Sequence, residues 1–462
     1  MTRLNYSTGS CKKKPIAPLS IWCRGLRREK PNILLIAIDT LRADHLGCYG
    51  YYRQTSPTID ELARDGIVFE NAIAPGIPTH PAYTTIFTGV HPLKHKIVCH
   101  AGSEVLSPAL KTMAQYLQES GYATVAVDNL LMTGAPWLVR GFEVYVYSGG
   151  ITVISGGAKV TGEVVTEKAI NVVRAWKAKL YGEKPLFLFV HYWDPHAPYL
   201  PPKGFWEEFY REGGTKLTSL LRRTRWGRYM LKGWLKEVIA KGRDEKEYVD
   251  ALYDGEIKYC DWCISKLLEE LKVLDLYEDT VIVITADHGE GLGENNVYYD
   301  HHGLYDWDVR VPLIIHYPQL MGGGKRVREL VTHEDILPTV LDLAGVKYPE
   351  GEVDGRSLIK LIEERCWSRD FVVCVENTRM TKRAIRTREW KLIETLRPDI
   401  YGHPAGFLEL YDLRRGEENN LIEEYLDVAK ELLMMLEVWY RRKLGPEPDP
   451  LSVQQISLPV PG

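Results

Sequence analysis

The stretch "NILLIAID", Asn32–Asp39, decides the fold class. Apolar side chains fill positions 33 to 38 without interruption, and an acid closes the run. A strand with one wet face alternates apolar and polar residues. A run without alternation suits a strand covered on both faces, as parallel sheets require. The same texture returns in "PLFLFVHYWD" (185–194), "DTVIVITADHG" (279–289) and "VPLIIHYP" (311–318). Helical patterns lie between these runs. "SPTIDELARDG" (56–66) places Ser56 at a cap, Pro57 in the first turn and Gly66 at the stop. "ALKTMAQYLQESGYATVAVD" (109–128) reads as helix, Gly121 stop and strand. "VTEKAINVVRAWKAKL" (165–180) and "KYCDWCISKLLEELKVL" (258–274) read as further helices. This alternation predicts an α/β fold with a largely parallel sheet between two helical layers.

The chain has 462 residues, 45% hydrophobic and 26% charged, enough for a large core. Its net charge of −4 gives no general affinity for polyanions, so no specific nucleic-acid partner is expected. Eight cysteines are scattered, without the dense framework of a small secreted domain, and read as reduced thiols of a cytoplasmic protein. The single CxxC, Cys260 and Cys263, has no second pair with which to build a zinc site. Residues 1–30 carry eight Lys/Arg and one acid, which reads as a basic, disordered tail without a signal-peptide core. No stretch approaches the roughly 20 apolar residues of a membrane span.

Residues 31–365 form the expected catalytic domain. From 366 to 445 the strand-like segments shorten and a helix follows, predicting a small C-terminal α+β subdomain. Residues 446–462 are Pro-rich and read as extended. Residues 211–243 are strongly basic, with Trp226, Tyr229 and Trp234 interleaved. They read as a solvated helical insertion. The sharper alternative is a lid or arm that grips an anionic substrate, a partner or a membrane surface.

In parallel α/β sheets, ligands bind beyond the carboxyl ends of the strands. Asp39 closes the first strand, His191 to His196 close another, and Asp287-His288-Gly289 close a third. Two carboxylates and an imidazole can hold a divalent cation. Thr79 sits between Pro78 and Pro81 in "APGIPTHPAYTTIFTG" (74–89), ahead of a helical run. A hydroxyl beside such a cation has a lowered pKa and becomes a nucleophile. The plainer role for Thr79 is to cap the helix.

At these residues the chain resembles the sulfatase family of the alkaline phosphatase superfamily. "PNILLIAIDTLRADHLGCYG" (31–50), "IFTGVHPLKH" (86–95), "HYWDPHAPYLPP" (191–202), "ITADHGEGLGE" (284–294) and "HEDILPTVLDLAGV" (333–346) carry the resemblance in order. "AIRTREWKLIE" (384–394) and "ELYDLRRGEENNL" (409–421) resemble the family's C-terminal subdomain. The implied fold is a large mixed, mainly parallel sheet sandwiched by helices, plus a small C-terminal antiparallel sheet with a helix.

The departures bear on mechanism. Sulfatases place Cys or Ser in a Cys/Ser-x-Pro-x-Arg motif, and that residue becomes formylglycine. Here Thr79 stands at that position and Tyr83 replaces the arginine. A β-methylated residue cannot become an aldehyde, so a threonyl intermediate must be resolved by attack at the central atom. That chemistry is routine at phosphorus. The set Asp39, Thr79, Asp287 and His288 resembles the metal ligands of phosphonate monoester hydrolases and lipoteichoic-acid-type synthases. It suits manganese or zinc, with calcium as the alternative. One metal is expected, although Asp194, His196 and His302 admit a second. With one metal, His196 and His302 flank the transferred group as catalytic acids or bases. Asn129 and His301 are the substrate-binding candidates, and His80, His95 and Asp194 are supporting residues. The expected function is hydrolysis of a phosphoester, phosphodiester or phosphonate ester. The alternatives are a sulfuric ester hydrolase, and a phosphotransferase or silent binding homologue.

Overall fold

The computed structural model describes residues 30–149, 160–180, 182–319, 324–349, 351–364 and 369–453. Residues 1–29 of the basic tail and 454–462 of the Pro-rich end lie outside the described residues.

The run that opened the sequence reading forms β1 (Asn32–Ile38), and every one of its residues is buried. The main sheet also contains β2 (Ile67–Ile73), β4 (Ala123–Asp128), β5 (Val144–Tyr147) and β6 (Leu186–Tyr192). The chain then adds β7 (Thr280–Thr285), β8 (Arg310–Val311), β9 (Leu313–His316) and β10 (Lys325–Thr332). The order is β10-β2-β9-β7-β1-β6-β4-β5, with β8 paired to β2. β7, β1, β6, β4 and β5 are mutually parallel. β9 runs antiparallel to both β7 and β2, which makes the sheet mixed. The reason is the loop 286–309. It leaves β7 and returns to the same edge of the sheet, so the next strand has to run backwards. That loop therefore stays over the carboxyl ends of the strands.

The long helix Lys246–Val273 packs with Gly162–Lys177 and Pro57–Asp65 on one face. Thr79–Thr88, Met113–Glu119 and Ile336–Leu343 pack together on the other. The helix Pro57–Asp65 begins and ends where the sequence predicts, but its capping acceptor is remote. Asp261 accepts from the Thr58 and Ile59 amides at 3.0 and 2.8 Å, while the Ser56 hydroxyl donates to Asp60. Cys260 and Cys263 are buried free thiols on the long helix.

A second sheet is ordered β14-β13-β12-β11-β3. Its antiparallel strands are β11 (Phe371–Asn377), β12 (Thr381–Thr387), β13 (Trp390–Thr395) and β14 (Leu408–Asp412). The helix Leu426–Leu444 covers them with Ala429, Leu432, Leu436 and Tyr440, one apolar stripe at helical spacing. This sheet is more than an appendage. Its fifth strand, β3 (Gly76–Ile77), comes from the chain just ahead of Thr79 and pairs in parallel with Val375 and Glu376. The end of the chain is not uniformly extended either, because Pro450–Val453 forms a helical turn and Leu451 is buried.

Buried charges fasten the second sheet to the loop 286–309. Lys391 is fully buried, 2.5 Å from Asp306 and 2.9 Å from Glu417, and it donates to the Leu304 carbonyl at 3.0 Å. Arg386 lies 2.9 Å from the other Asp306 oxygen. Glu376 accepts from the Gly303 amide at 2.8 Å. Removing one partner of such a cluster leaves a buried charge uncompensated. Lys391→Met is expected to cost about 3–5 kcal/mol of stability, read from the shift in a chemical-denaturation midpoint.

Candidate active site

Because β1 lies between β6 and β7, the acid after β1 faces the residues that follow β7. The turn after Asp39 is tight. Thr40 adopts φ 53°, a left-handed conformation that a β-branched residue rarely takes. It is fixed from two sides. Tyr253 of the long helix donates to the Thr40 carbonyl at 2.7 Å, and the Thr40 amide donates to Asp287 at 3.3 Å. Gly289 is required at its position, because a β-carbon there would collide with the Trp307 carbonyl.

Asp39, Asp287 and His288 are fully buried, and one ligand atom of each lies within 4.8 Å of the others. Both Asp39 oxygens, Asp287 Oδ2 and His288 Nε2 have no hydrogen-bond partner among the described residues. Buried carboxylates are costly unless neutralised, so this arrangement fits a dication. The imidazole is correctly presented. His288 Nδ1 lies 2.9 Å from the Gly289 carbonyl, which can only accept, so Nδ1 donates there and Nε2 is the nitrogen that faces the acids. Burial pulls against the charge on His288, but Asp287 and Asp39 outweigh it and raise its pKa to about 10. Burial likewise opposes ionisation of Asp287, which His288 and His191 nonetheless hold below the usual carboxylate range.

His191 belongs to a supporting row that the sequence reading did not assign. Its Nδ1 bonds Asp128 at 2.8 Å and its Nε2 lies 3.4 Å from Asp39. Burial alone would depress it. The two carboxylates overcome this and raise its pKa to about 9. Asp39 is thereby oriented by an imidazole that Asp128 holds.

Beside the acids lies a cavity of about 230 Å³. Thr79 opens the helix Thr79–Thr88, all ten residues of which are buried, and it lines this cavity. No side chain caps that helix, so the plain capping role does not describe Thr79. His196 and His301 line the same cavity, with ring centroids 5.5 Å apart, and the His301 ring lies 4.3 Å from that of His288. His196 Nδ1 donates to the Ala197 carbonyl at 2.7 Å, which leaves Nε2 as the available nitrogen. Burial and the neighbouring His288 hold His301 well below the usual imidazole range.

Two expected site residues do not line this wall. His302 bonds Tyr401 at 2.8 Å and packs edge-on to Trp226, so of the adjacent pair it is His301 that reaches the cavity. Asn129 accepts from the Trp193 indole and donates to the Gly149 carbonyl at 3.3 Å; it positions Trp193. His80 bonds Thr133 and stacks on His100, and His95 bonds Thr85, as supporting residues would.

The basic insertion is not merely a solvated face. Its helices Leu217–Leu221, Arg225–Met230 and Leu235–Ala240 bury Leu217, Leu221, Trp226 and Leu235. Trp226, Tyr229, Met230 and Trp234 roof the cavity. The remaining wall includes Glu290, Asp300, Thr378 and Arg379, none of them singled out from sequence. Glu290, two positions after His288, is the one a motif could have exposed.

Comparison with known proteins agrees with this fold. Residues 31–346 match the Sulfatase family profile, and residues 293–440 match the C-terminal profile of N-sulphoglucosamine sulphohydrolase. An ulvan-active sulfatase of Formosa agariphila is 24% identical, over 94% of this chain and 83% of its own. An N-acetylglucosamine-6-O-sulfatase of Bacteroides thetaiotaomicron is 23% identical, over 94% and 91%. Among solved structures, the phosphonate monoester hydrolase of Agrobacterium radiobacter shares the fold with a TM-score of 0.71. It is 22% identical, and the match covers 90% of this chain and 96% of that one.

Proposed function

The chain belongs to the sulfatase family of ester hydrolases, and from that premise we propose that it is a metal-dependent hydrolase of phosphodiesters or phosphonate esters with Thr79 as nucleophile. The observation that carries this is a β-methylated hydroxyl, at the start of a buried helix, in a cavity also lined by His301, whose ring lies 4.3 Å from that of His288 in the acid cluster. Those three residues and Thr79 would hold the cation. When bound, the cation lowers the pKa of the hydroxyl and offsets charge on the substrate oxygens.

Thr79 Oγ, its proton already released to solvent, attacks phosphorus in line as the alkoxide and later departs as one, and the bond from phosphorus to the leaving oxygen breaks. His196 Nε2 delivers the proton that the leaving oxygen takes up. His301, kept neutral by its burial, hydrogen-bonds the transferred group. Water then attacks phosphorus, gives its proton to His196, and releases Thr79. The helix N-terminus favours the negative charge that develops at each attack.

The test is a set of 4-nitrophenyl esters, a phosphodiester, a phosphonate and a sulfate, each assayed with manganese, zinc and calcium. Phosphorus esters are expected to turn over faster, with manganese or zinc. Dominant sulfate turnover would instead favour the second reading, a sulfuric ester hydrolase. The sulfatase relatives that align with 94% of the chain support that reading. A cytoplasmic location belongs to the same proposal.

A further inference from the structure

Among the described residues, Arg379 is the only arginine or lysine that lines the cavity. It sits in the three-residue turn Thr378–Met380, between β11 and β12 of the second sheet. That turn is held rigidly. Thr378 accepts from the His100 amide at 2.8 Å, and Glu376 accepts from the Met380 amide at 3.1 Å. The guanidinium stacks over the Trp226 ring at 4.8 Å. Its nearest acid, Asp300, lies at 3.6 Å, beyond hydrogen-bond range, although only 15% of the Arg379 side chain is exposed. The chain's other enclosed arginines are engaged differently. Arg369 donates twice to Asp335, and Arg386 twice to Asp306. The helix that begins at Thr79 offers no cation of its own here, because Tyr83 is fully buried against the Phe189 and His191 rings. In the roof, the Trp226 indole N–H is likewise buried without a partner among the described residues.

We propose that Arg379 is the anion-binding residue of this site, donating in a fork to two non-bridging oxygens of the group transferred to Thr79, with Trp226 holding the guanidinium plane. The fork matches two oxygens of one tetrahedral anion. With Asp39 and Asp287 meeting the charge of a bound dication, Arg379, opposed by Asp300, selects esters with a single negative charge. Phosphate diesters, phosphonate monoesters and sulfate monoesters meet that condition, and dianionic phosphate monoesters do not. Transfer to Thr79 rests on the hydrolase reading above; the binding of the anion does not.

The binding experiment uses the manganese-loaded full chain carrying Thr79→Ala, titrated calorimetrically with methyl phenylphosphonate, a monoanion. Adding Arg379→Met is expected to weaken binding at least tenfold, with Arg379→Lys intermediate. Phenylphosphonate as the dianion is expected to bind more weakly than its methyl ester. In the kinetic arm, Arg379→Met alone is expected to lose roughly a hundredfold in kcat/KM. Added guanidinium should restore part of the loss, and methylammonium should not. Undiminished binding and turnover in Arg379→Met would overturn the proposal. So would a loss that guanidinium cannot repair and that tracks a fall in thermal midpoint, which marks a structural role. If Arg379→Met does not fold, Arg379→Lys decides by the same binding measurement. If the wild-type protein hydrolyses none of the esters, the hydrolase reading fails, and the calorimetry still decides the role of Arg379.

Discussion

Thr79→Ala is expected to lower turnover by roughly four to six orders of magnitude while leaving the fold intact, as loss of a covalent nucleophile does. The fold should survive because the change removes one hydroxyl and one methyl from a site whose helix Thr79 does not cap. Thr79→Ser keeps an alcohol in the same place and is expected to remain within about tenfold of wild type. The pair separates a chemical role from a packing role, since both variants lose the methyl and only alanine loses the oxygen. Acid quenching of wild-type turnover, followed by peptide mass analysis, should find the phosphoryl group on the peptide that contains Thr79. Activity in Thr79→Ala close to wild type would remove the covalent mechanism altogether.

Stripping the divalent cation with a chelator is expected to abolish turnover and to lower the thermal midpoint. Asp287→Asn should reproduce the first effect without further sensitivity to chelator. The physical reason is that both buried Asp39 oxygens and Asp287 Oδ2 lack a hydrogen-bond partner among the described residues. A cation that binds only the folded chain adds about 2.7 kcal/mol at a hundredfold excess over its dissociation constant. For a chain of this size that corresponds to a midpoint shift of a few degrees. Titrating manganese, zinc and calcium into the stripped protein during calorimetry ranks the metals by that shift. A midpoint indifferent to all three metals, together with full activity in chelator, would eliminate the cation from the mechanism.

The sequence carried the central strands and the acid cluster unusually well. β1 and β7 are covered on both faces, so their apolar runs are continuous and end abruptly at Asp39 and Asp287. Parallel neighbours have aligned ends, so residues that terminate such runs converge. The antiparallel β9 was not legible, because a short buried strand reads the same in either direction. His301 and His302 were not separable by pattern. Adjacent side chains diverge, and which one reaches the cavity depends on where Tyr401 lies. The insertion left a solvated helix and a lid undecided for a related reason. Basic residues with aromatic residues between them fit a solvated helix, and only the packing of Trp234 against Tyr199 and Tyr299 turns its inner face toward the site. Arg379 carried no signal at all. It lies in a short turn far along the chain from Thr79, and its role depends entirely on how the two sheets are joined.

That join has a temporal side. Gly76 and Ile77 pair with Val375 and Glu376, and the Val375 amide donates to the Pro75 carbonyl at 3.0 Å. During synthesis the segment leading to Thr79 emerges early, yet the backbone that braces it is made hundreds of residues later. A nascent chain thus carries Thr79 long before that side chain is set in place. The brace is complete only once residues 375 and 376 have been made, so a product terminated before them lacks the strand that supports the segment leading to Thr79.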